Sequence, residues 1–385
     1  MINKVPLSIY IHWPFCTSKC PYCDFNSHIQ QNINQQEWGK GLVSELNYIT
    51  RTYFSDNLDK YYLKSIFFGG GTPSLIESSV IKKIIKQCVE KFKYVSLSNE
   101  AEITLEANPN SLTKSKLLSF RDAGINRISI GAQSFNKKFL EFLGRDHSVY
   151  EAKRNIEYAR EVFKNVSFDL IYAMPNQTVY EWEKSLKTAL QFEPDHLSLY
   201  QLTIEEGTAF NQMYKKGKLI PINNELASEM YSITEDLTQK NKMPAYEVSN
   251  YSKEGRSCSH NLNYWEGGEW IGIGPGAVSR FFYNNKRTQL DIRKDPNGWI
   301  NSVKENGNGV KNIVSETIED FWNEKLLMGL RLVKGVNIKP IKSILNMAKV
   351  YELMEANYLD LNNGTMKTTF NGRLRLNSIL TEIIK

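Results

Sequence analysis

Short apolar runs alternate with amphipathic stretches along the first half of the chain, and this alternation predicts repeated strand–helix units. After a first strand near Ser8, further strands are predicted over residues 61–68, 102–107, 127–130, 166–173 and 196–204. Helices are predicted between them, over 35–53, 80–92, 113–123, 137–143, 150–163 and 179–192, where apolar residues recur at helical spacing. Six strands in this order predict an α/β fold with a parallel sheet, either open or closed into an incomplete or complete βα barrel.

The pattern changes twice further along the chain. Residues 1–240 are predicted to form the core of strand–helix units, and residues 241–315 a glycine- and aromatic-rich extension that packs on it. Residues 316–385 are predicted to form a small α+β module, with short helices and a hairpin that turns at Asn362-Asn363-Gly364. This module is winged-helix-like and such modules can bind DNA. Because it has no concentrated basic helix, a structural or lid role is favoured.

Composition favours a soluble globular protein. Of the 385 residues 41% are hydrophobic, and the formal net charge of +6 is spread over many lysines without an arginine-rich block. A solvated basic surface explains this charge better than a nucleic-acid footprint does. No apolar run approaches the ~18 residues that span a bilayer, and the N-terminus lacks a signal-peptide core. A cytoplasmic location is therefore expected, where thiols stay reduced and free for metal.

Three cysteines, Cys16, Cys20 and Cys23, lie within eight residues, and the two other cysteines are far away and alone. Three thiols this close cannot pair without strain and a leftover, so a metal centre is the better interpretation. A structural zinc site would need a fourth ligand, for which only His12 or His28 is at hand. A compact loop of three thiolates is typical of an iron–sulfur cluster, which would keep one iron open for a substrate. The cluster is the favoured alternative.

Polar side chains recur where successive predicted strands end. The glycine triplet 69–71 follows the second strand, Glu106 and Gln133 end the third and fourth, Asp169 lies within the fifth, and Arg145 follows Gln133. Ligands of parallel βα sheets and barrels bind at the carboxyl ends of the strands. The set therefore predicts a pocket beside the cysteine loop for a ligand that carries amine, carboxylate and sugar hydroxyl groups.

Four motifs in this order resemble those of the radical S-adenosylmethionine (SAM) superfamily. They are the run from Tyr10 to Cys23, with its Cys-x3-Cys-x2-Cys spacing, followed by GGGTP at 69–73, GAQSF at 131–135 and FDLIYAMP at 168–175. Within the superfamily the chain is similar to the oxygen-independent coproporphyrinogen III oxidase group. The resemblance implies a partial (βα)6-type radical SAM barrel, and a [4Fe–4S] cluster whose open iron chelates S-adenosylmethionine. An electron from such a cluster cleaves the sulfonium to a 5′-deoxyadenosyl radical.

The resemblance also implies roles for individual residues. The cluster ligands would be Cys16, Cys20 and Cys23, and the residues around S-adenosylmethionine would be Tyr10, Tyr22, Gly70, Gly71, Thr72, Glu106, Gln133, Arg145 and Asp169. The glycines and Thr72 would hold the methionine part, the acids would meet its amine or the ribose, and Arg145 would meet its carboxylate. This agrees with the chemistry of the side chains. Carboxylates accept hydrogen bonds from hydroxyl and ammonium groups, and a guanidinium can donate two parallel hydrogen bonds to a carboxylate.

One departure from the oxidase pattern shifts the expected function. The oxidases carry a fourth cysteine two positions after the third, and this chain has Phe25 there. Phe25 and the HNLNYW segment at 260–265 are instead similar to the HemW-like heme chaperones of the same group. They imply a protein that binds heme and delivers it to hemoproteins. Oxidative decarboxylation of coproporphyrinogen III, in porphyrin metabolism, is the enzymatic alternative, and a structural or nucleic-acid-binding protein is a weaker one.

The heme site is expected in the extension at 241–315. His260, followed by Tyr264 and Trp265 in a glycine-rich loop, is a candidate axial ligand, and the alternative is a histidine hydrogen-bonded to backbone. Cys258 could face the same site, although an inert buried thiol is favoured. A peripheral membrane contact and a homodimer stay open.

Overall fold

The computed structural model of the protein describes residues 4–55, 57–92 and 100–385. Its strands are β1 Val5–Trp13, β2 Phe15–Cys16, β3 His28–Ile29, β4 Tyr61–Gly70, β5 Glu102–Ala107, β6 Arg127–Gln133, β7 Val166–Tyr172, β8 His196–Gln201, β9 Ala245–Glu247, β10 Asn250–Ser252, β11 Glu269–Ile273, β12 Val278–Tyr283, β13 Lys286–Ile292, β14 Val310–Ser315, β15 Val336–Asn337, β16 Leu359–Asn362 and β17 Thr365–Thr368. Its helices are α1 Gln35–Tyr53, α2 Ser78–Lys91, α3 Lys114–Asp122, α4 Lys137–Phe142, α5 Val149–Val162, α6 Val179–Leu190, α7 Ala209–Lys215, α8 Asn224–Lys240, α9 Ser259–Trp265, α10 Pro296–Asn306, α11 Ile318–Gly329, α12 Met347–Glu355, α13 Phe370–Arg373 and α14 Leu376–Ile383.

Six parallel strands form the centre of a long open sheet. Strands β1, β4, β5, β6, β7 and β8 lie side by side in chain order, each paired in parallel with the next. The sheet continues beyond β1 through the parallel strand β11 and the antiparallel strands β12–β14, and beyond β8 through β10 and β9. The predicted α/β fold with a partial (βα)6 barrel is therefore confirmed.

The central strands are buried on both faces, as their apolar composition predicts. Alternate residues such as Ile9, Phe68 and Leu105 are fully buried, and the helices that follow the strands cover the outer face with their apolar sides. Helix ends follow local capping chemistry: Ser148 and Thr178 each accept a backbone N–H three residues on and form a capping box. No helix in the described part of the chain is long and apolar enough to cross a bilayer.

The segment around His260 is a helix, where the sequence suggested a glycine-rich loop. Helix α9 begins at Ser259 because the Glu102 carboxylate, at the start of β5, accepts the backbone N–H groups of Ser259 and His260, both at 3.1 Å. The Cys258 thiol donates to the same carboxylate at 3.4 Å. A cap supplied by a residue more than 150 positions away leaves no local signal in the sequence.

The C-terminal residues have a core of their own. Strands β15, β17 and β16 form a small antiparallel sheet, packed with α11–α14 around buried residues such as Leu326, Ile341 and Ile379. The β16–β17 hairpin turns at Asn363 and Gly364, both at positive φ, as the Asn-Gly pair predicts. Ion pairs join this part to the rest, with Arg373 donating to Glu235 at 2.7 Å.

Candidate cluster and cofactor site

A cavity of about 370 Å³ opens at the carboxyl ends of the central strands. Most of the residues expected at the site line it: Cys16, Cys20, Tyr22, Cys23, Gly70, Gly71, Thr72, Glu106, Gln133, Arg145 and Asp169. Phe25 lies at its rim with 58% of its surface exposed. Tyr10 and His260 do not line this cavity and contact a second one, described below.

The three cysteines of the loop are free thiols at one wall of the cavity. Cys16 is buried at the end of β2, whereas Cys20 and Cys23 are partly exposed. Burial raises the pKa of the Cys16 and Cys23 thiols, and the nearby Cys20 adds to the rise in both. Arg145 Nη1 donates to Cys20 Sγ at 3.4 Å. No three His, Cys, Asp or Glu side chains within residues 4–55, 57–92 and 100–385 are close enough to hold a single metal ion. A [4Fe–4S] cluster makes a different demand, because each thiolate binds its own iron.

Asn26, which the sequence did not single out, anchors the end of this loop. Its amide donates to the carbonyls of Pro275 and Lys294, both at 2.9 Å. The backbone oxygen of Asn26 lies 2.9 Å from His12 Nε2, so His12 orients the loop from the strand that enters it. A side chain on Gly276 would meet the Asn26 amide at 2.6 Å, so this close approach needs glycine there.

The glycine triplet forms the second wall because it leaves no room for side chains. A Cβ on Gly71 would lie 2.7 Å from the Phe15 carbonyl oxygen and 3.0 Å from Cys16 Sγ. Gly70 has φ +110°, a conformation that residues with a side chain rarely adopt. The backbone can therefore approach a ligand closely beside the thiols.

Carboxylates and a guanidinium complete the cavity. Burial raises the pKa of Glu106 to about 8, with repulsion from Asp169 as the second cause, and burial raises the pKa of Asp169 to about 6. Arg145 is held by the Gly131 carbonyl at 3.2 Å, while its Nε is buried without a partner. Gln133 ends β6 in the left-handed region at φ 62°, which is uncommon for a residue other than glycine and marks local strain at the cavity.

A second, smaller cavity of about 150 Å³ lies inside the barrel and shares Glu106, Asp169 and two further residues with the first. Tyr10 contacts this cavity from strand β1, and His260 contacts it from helix α9. Both ring nitrogens of His260 are bonded, Nδ1 to the Ser65 hydroxyl at 2.8 Å and Nε2 to the Tyr264 hydroxyl at 2.7 Å. Burial lowers the pKa of His260 to about 3. The sequence left open that His260 is a hydrogen-bonded histidine and not a heme ligand. In the structure His260 is hydrogen-bonded, although its partners are side chains and not backbone groups. Its role as a heme ligand stays a prediction.

Comparison with known proteins gives the family of the chain. Residues 10–189 match the radical SAM superfamily. The chain is 35% identical to the heme chaperone HemW of Haemophilus influenzae, over 97% of either protein, and 32% identical to HemW of Escherichia coli. The chain belongs to the HemW-like family of radical SAM proteins. The zebrafish mitochondrial protein named radical S-adenosyl methionine domain-containing protein 1 is 34% identical over 99% of this chain and 88% of its own length.

The fold agrees with this family. The structure matches coproporphyrinogen III oxidase (HemN) of Escherichia coli with a TM-score of 0.79 at 20% identity, over 98% of this chain and 90% of that one. The superfamily takes a [4Fe–4S] cluster and S-adenosylmethionine, and the cavity has the donors for both. Three thiols, a glycine wall without Cβ atoms, and a buried guanidinium Nε without a partner meet in one space.

Proposed function

We propose that the protein is a HemW-like heme chaperone, which binds a [4Fe–4S] cluster, S-adenosylmethionine and heme and delivers heme to hemoproteins. The observation that carries the proposal is the near full-length similarity to proteins named heme chaperone HemW, together with Phe25 at the rim of the cavity. An oxidase of this group has cysteine at that position, and Phe25 offers no thiolate.

In this proposal Cys16, Cys20 and Cys23 ligate three irons of the cluster. Arg145 supports this arrangement because its guanidinium donates to the Cys20 sulfur at 3.4 Å, and a thiolate ligand would accept that hydrogen bond. When bound, the cluster supplies an electron and an open iron.

The remaining residues hold S-adenosylmethionine. The backbone of Gly70 and Gly71, and the Thr72 hydroxyl, take its methionine part against the cluster. Glu106 and Asp169 accept hydrogen bonds from the ammonium group or the ribose, Arg145 meets the carboxylate, and Gln133 and Tyr22 close the sides of the pocket. Tyr10 acts from the inner cavity, where its hydroxyl lies 3.1 Å from His12 Nδ1.

Binding of S-adenosylmethionine should become tighter as pH rises from about 6 to 8. Glu106, with a pKa raised to about 8, and Asp169, with a pKa raised to about 6, accept charge-assisted hydrogen bonds only after they lose their protons. Below pH 8 the affinity set by Glu106 should fall by up to about tenfold per pH unit. Equilibrium dialysis of cluster-loaded protein between pH 6 and 9 measures this.

The Glu106→Gln variant is the control for this profile. Its affinity should be lower and should vary less with pH between 7 and 9, because the carboxyl with the raised pKa has been removed. A wild-type slope in the variant would assign the titration to another group. Stability without the cofactor should change in the opposite sense, because a carboxyl with a raised pKa contributes most when protonated and loses that contribution as pH rises through its folded pKa.

The function is tested with cluster-loaded protein prepared under anaerobic conditions. We expect heme to bind with one-to-one stoichiometry and to pass to an apo-hemoprotein, read from the growth of the acceptor's Soret band. We expect no protoporphyrinogen IX from coproporphyrinogen III and S-adenosylmethionine. Turnover of coproporphyrinogen III would overturn the chaperone proposal in favour of the oxidase alternative.

A further inference from the structure

An apolar groove lies on the protein surface next to the cofactor cavity, and neither the cluster nor S-adenosylmethionine accounts for it. The groove has a volume of about 400 Å³ and is formed by α4, the segment after β7, and α7 with the residues that follow it. Its apolar lining is Phe139, Phe142, Pro175, Met213, Leu219 and Ile220. Phe139 and Leu219 are buried and make its floor, whereas Met213 and Ile220 are exposed at its edge, Ile220 to 76%.

Lysines surround this apolar surface. Lys138 and Lys218 line the groove, and Lys215 and Lys216 are exposed on the same short segment as Lys218. No carboxylate lines the groove. The occupant that fits is therefore anionic at its edge and apolar in its body.

Heme has this chemistry, and two other cavities suit it less well. The cavity around His260 holds about 150 Å³, less than the roughly 300–1,000 Å³ typical of ligand pockets, and the His260 ring nitrogens are both bonded. A surface groove of about 410 Å³ beside Arg287 has aromatic walls, but no histidine, methionine or cysteine among its lining residues could ligate the iron. The apolar groove has a thioether, Met213, as a ligand for the iron.

We propose that heme binds in the apolar groove, with Met213 as an axial ligand and Lys138 and Lys218 paired with the propionates. This inference rests on the proposed heme-chaperone function and names its heme site. The groove is open to solvent, so a bound heme stays accessible to an acceptor protein. Three aromatic side chains connect the groove with the cofactor site. The ring centroid of Phe142 lies 4.8 Å from that of Phe210, which lies 6.3 Å from that of Tyr22 in the cysteine loop.

The test is a heme titration of the full-length, cluster-loaded protein under anaerobic conditions, with ferrous heme. Met213→Leu keeps the size of the side chain, and should remove the absorption and magnetic circular dichroism signature of thioether ligation. The pair Lys138→Glu and Lys218→Glu should weaken binding by about 30-fold, because two attractions become repulsions. The pair Lys40→Glu and Lys82→Glu, exposed on α1 and α2, makes the same charge change elsewhere and should leave affinity within about twofold.

The possible results of this titration distinguish the proposed heme site from the proposed heme-chaperone function. Wild-type affinity and spectrum in both groove variants, with loss of binding in His260→Ala, would overturn the groove site and leave the chaperone function standing. Absence of heme binding by the wild-type protein would overturn both. Groove variants that lose binding to anionic phospholipid vesicles but bind heme normally would make the groove a membrane contact and overturn the proposal. Unchanged circular dichroism and iron content in every variant exclude misfolding as the cause.

Discussion

Replacing Cys20 with serine should abolish the iron–sulfur cluster and leave the fold intact. The side chain is partly exposed at the cavity wall, and its contacts are polar: Arg145 Nη1 at 3.4 Å and the Gly144 carbonyl at 3.9 Å. It therefore adds little to the core, whereas loss of one of three thiolates removes the ligand set of the cluster. Iron content after anaerobic reconstitution should fall from about four per chain to nearly zero. Cluster absorption should disappear with it, and the thermal unfolding midpoint of the cluster-free proteins should be unchanged.

Cys88→Ala is the matched control because it removes a cysteine that is fully buried in α2. This change leaves a small cavity in the core and should lower the free energy of unfolding by about 1 kcal/mol, with full iron content. Loss of the cluster in Cys88→Ala, or unfolding of Cys20→Ser, would contradict the division between core and site.

Replacing Glu45 with alanine should lower the free energy of unfolding by about 3–5 kcal/mol, although Glu45 does not line the cofactor cavity. The carboxylate is fully buried and accepts the backbone N–H groups of Gly274 and Gly309, both at 2.7 Å, and the Trp299 indole N–H at 3.0 Å. Alanine would leave these three buried donors without an acceptor. Burial raises the pKa of Glu45 to about 7, and such a carboxyl stabilises the fold most while it is protonated, so urea unfolding of the cluster-free protein is best measured near pH 5.

The exposed Glu157 on α5 provides the comparison for this measurement. Glu157→Ala should change the free energy of unfolding by no more than about 0.5 kcal/mol. If Glu45→Ala were equally mild, the three donors would have other acceptors or water, and the role given to Glu45 would be wrong. Because Gly274 precedes Pro275, whose carbonyl holds Asn26, Glu45→Ala should also shorten the lifetime of the reconstituted cluster.

The sequence predicted those parts of the fold that depend on local patterns. Helix α1 has the predicted bounds, and β5 runs over the predicted residues 102–107, because apolar periodicity and neighbouring polar residues define both. The cavity residues were predictable for a related reason: the strands are parallel, so residues at their carboxyl ends meet at one edge. A sequence pattern and one topological rule were sufficient there.

The other features depend on partners that are distant in sequence. The cap that Glu102 provides for α9, and the insertion of β11 beside β1, join segments separated by more than 150 residues. No window of the sequence contains both members of such a pair. Tyr10 contacts the inner cavity, and its expected place beside the cofactor stays a prediction.

The two hydrogen bonds from the Asn26 amide that anchor the cysteine loop constrain the order of events during biosynthesis. Asn26 pairs with carbonyls 249 and 268 residues further along the chain. Those partners leave the ribosome long after Asn26, since chains are made from the N-terminus. These two hydrogen bonds can therefore form only after residue 294 has been synthesised, and we expect the cysteine loop to reach its final conformation late in synthesis.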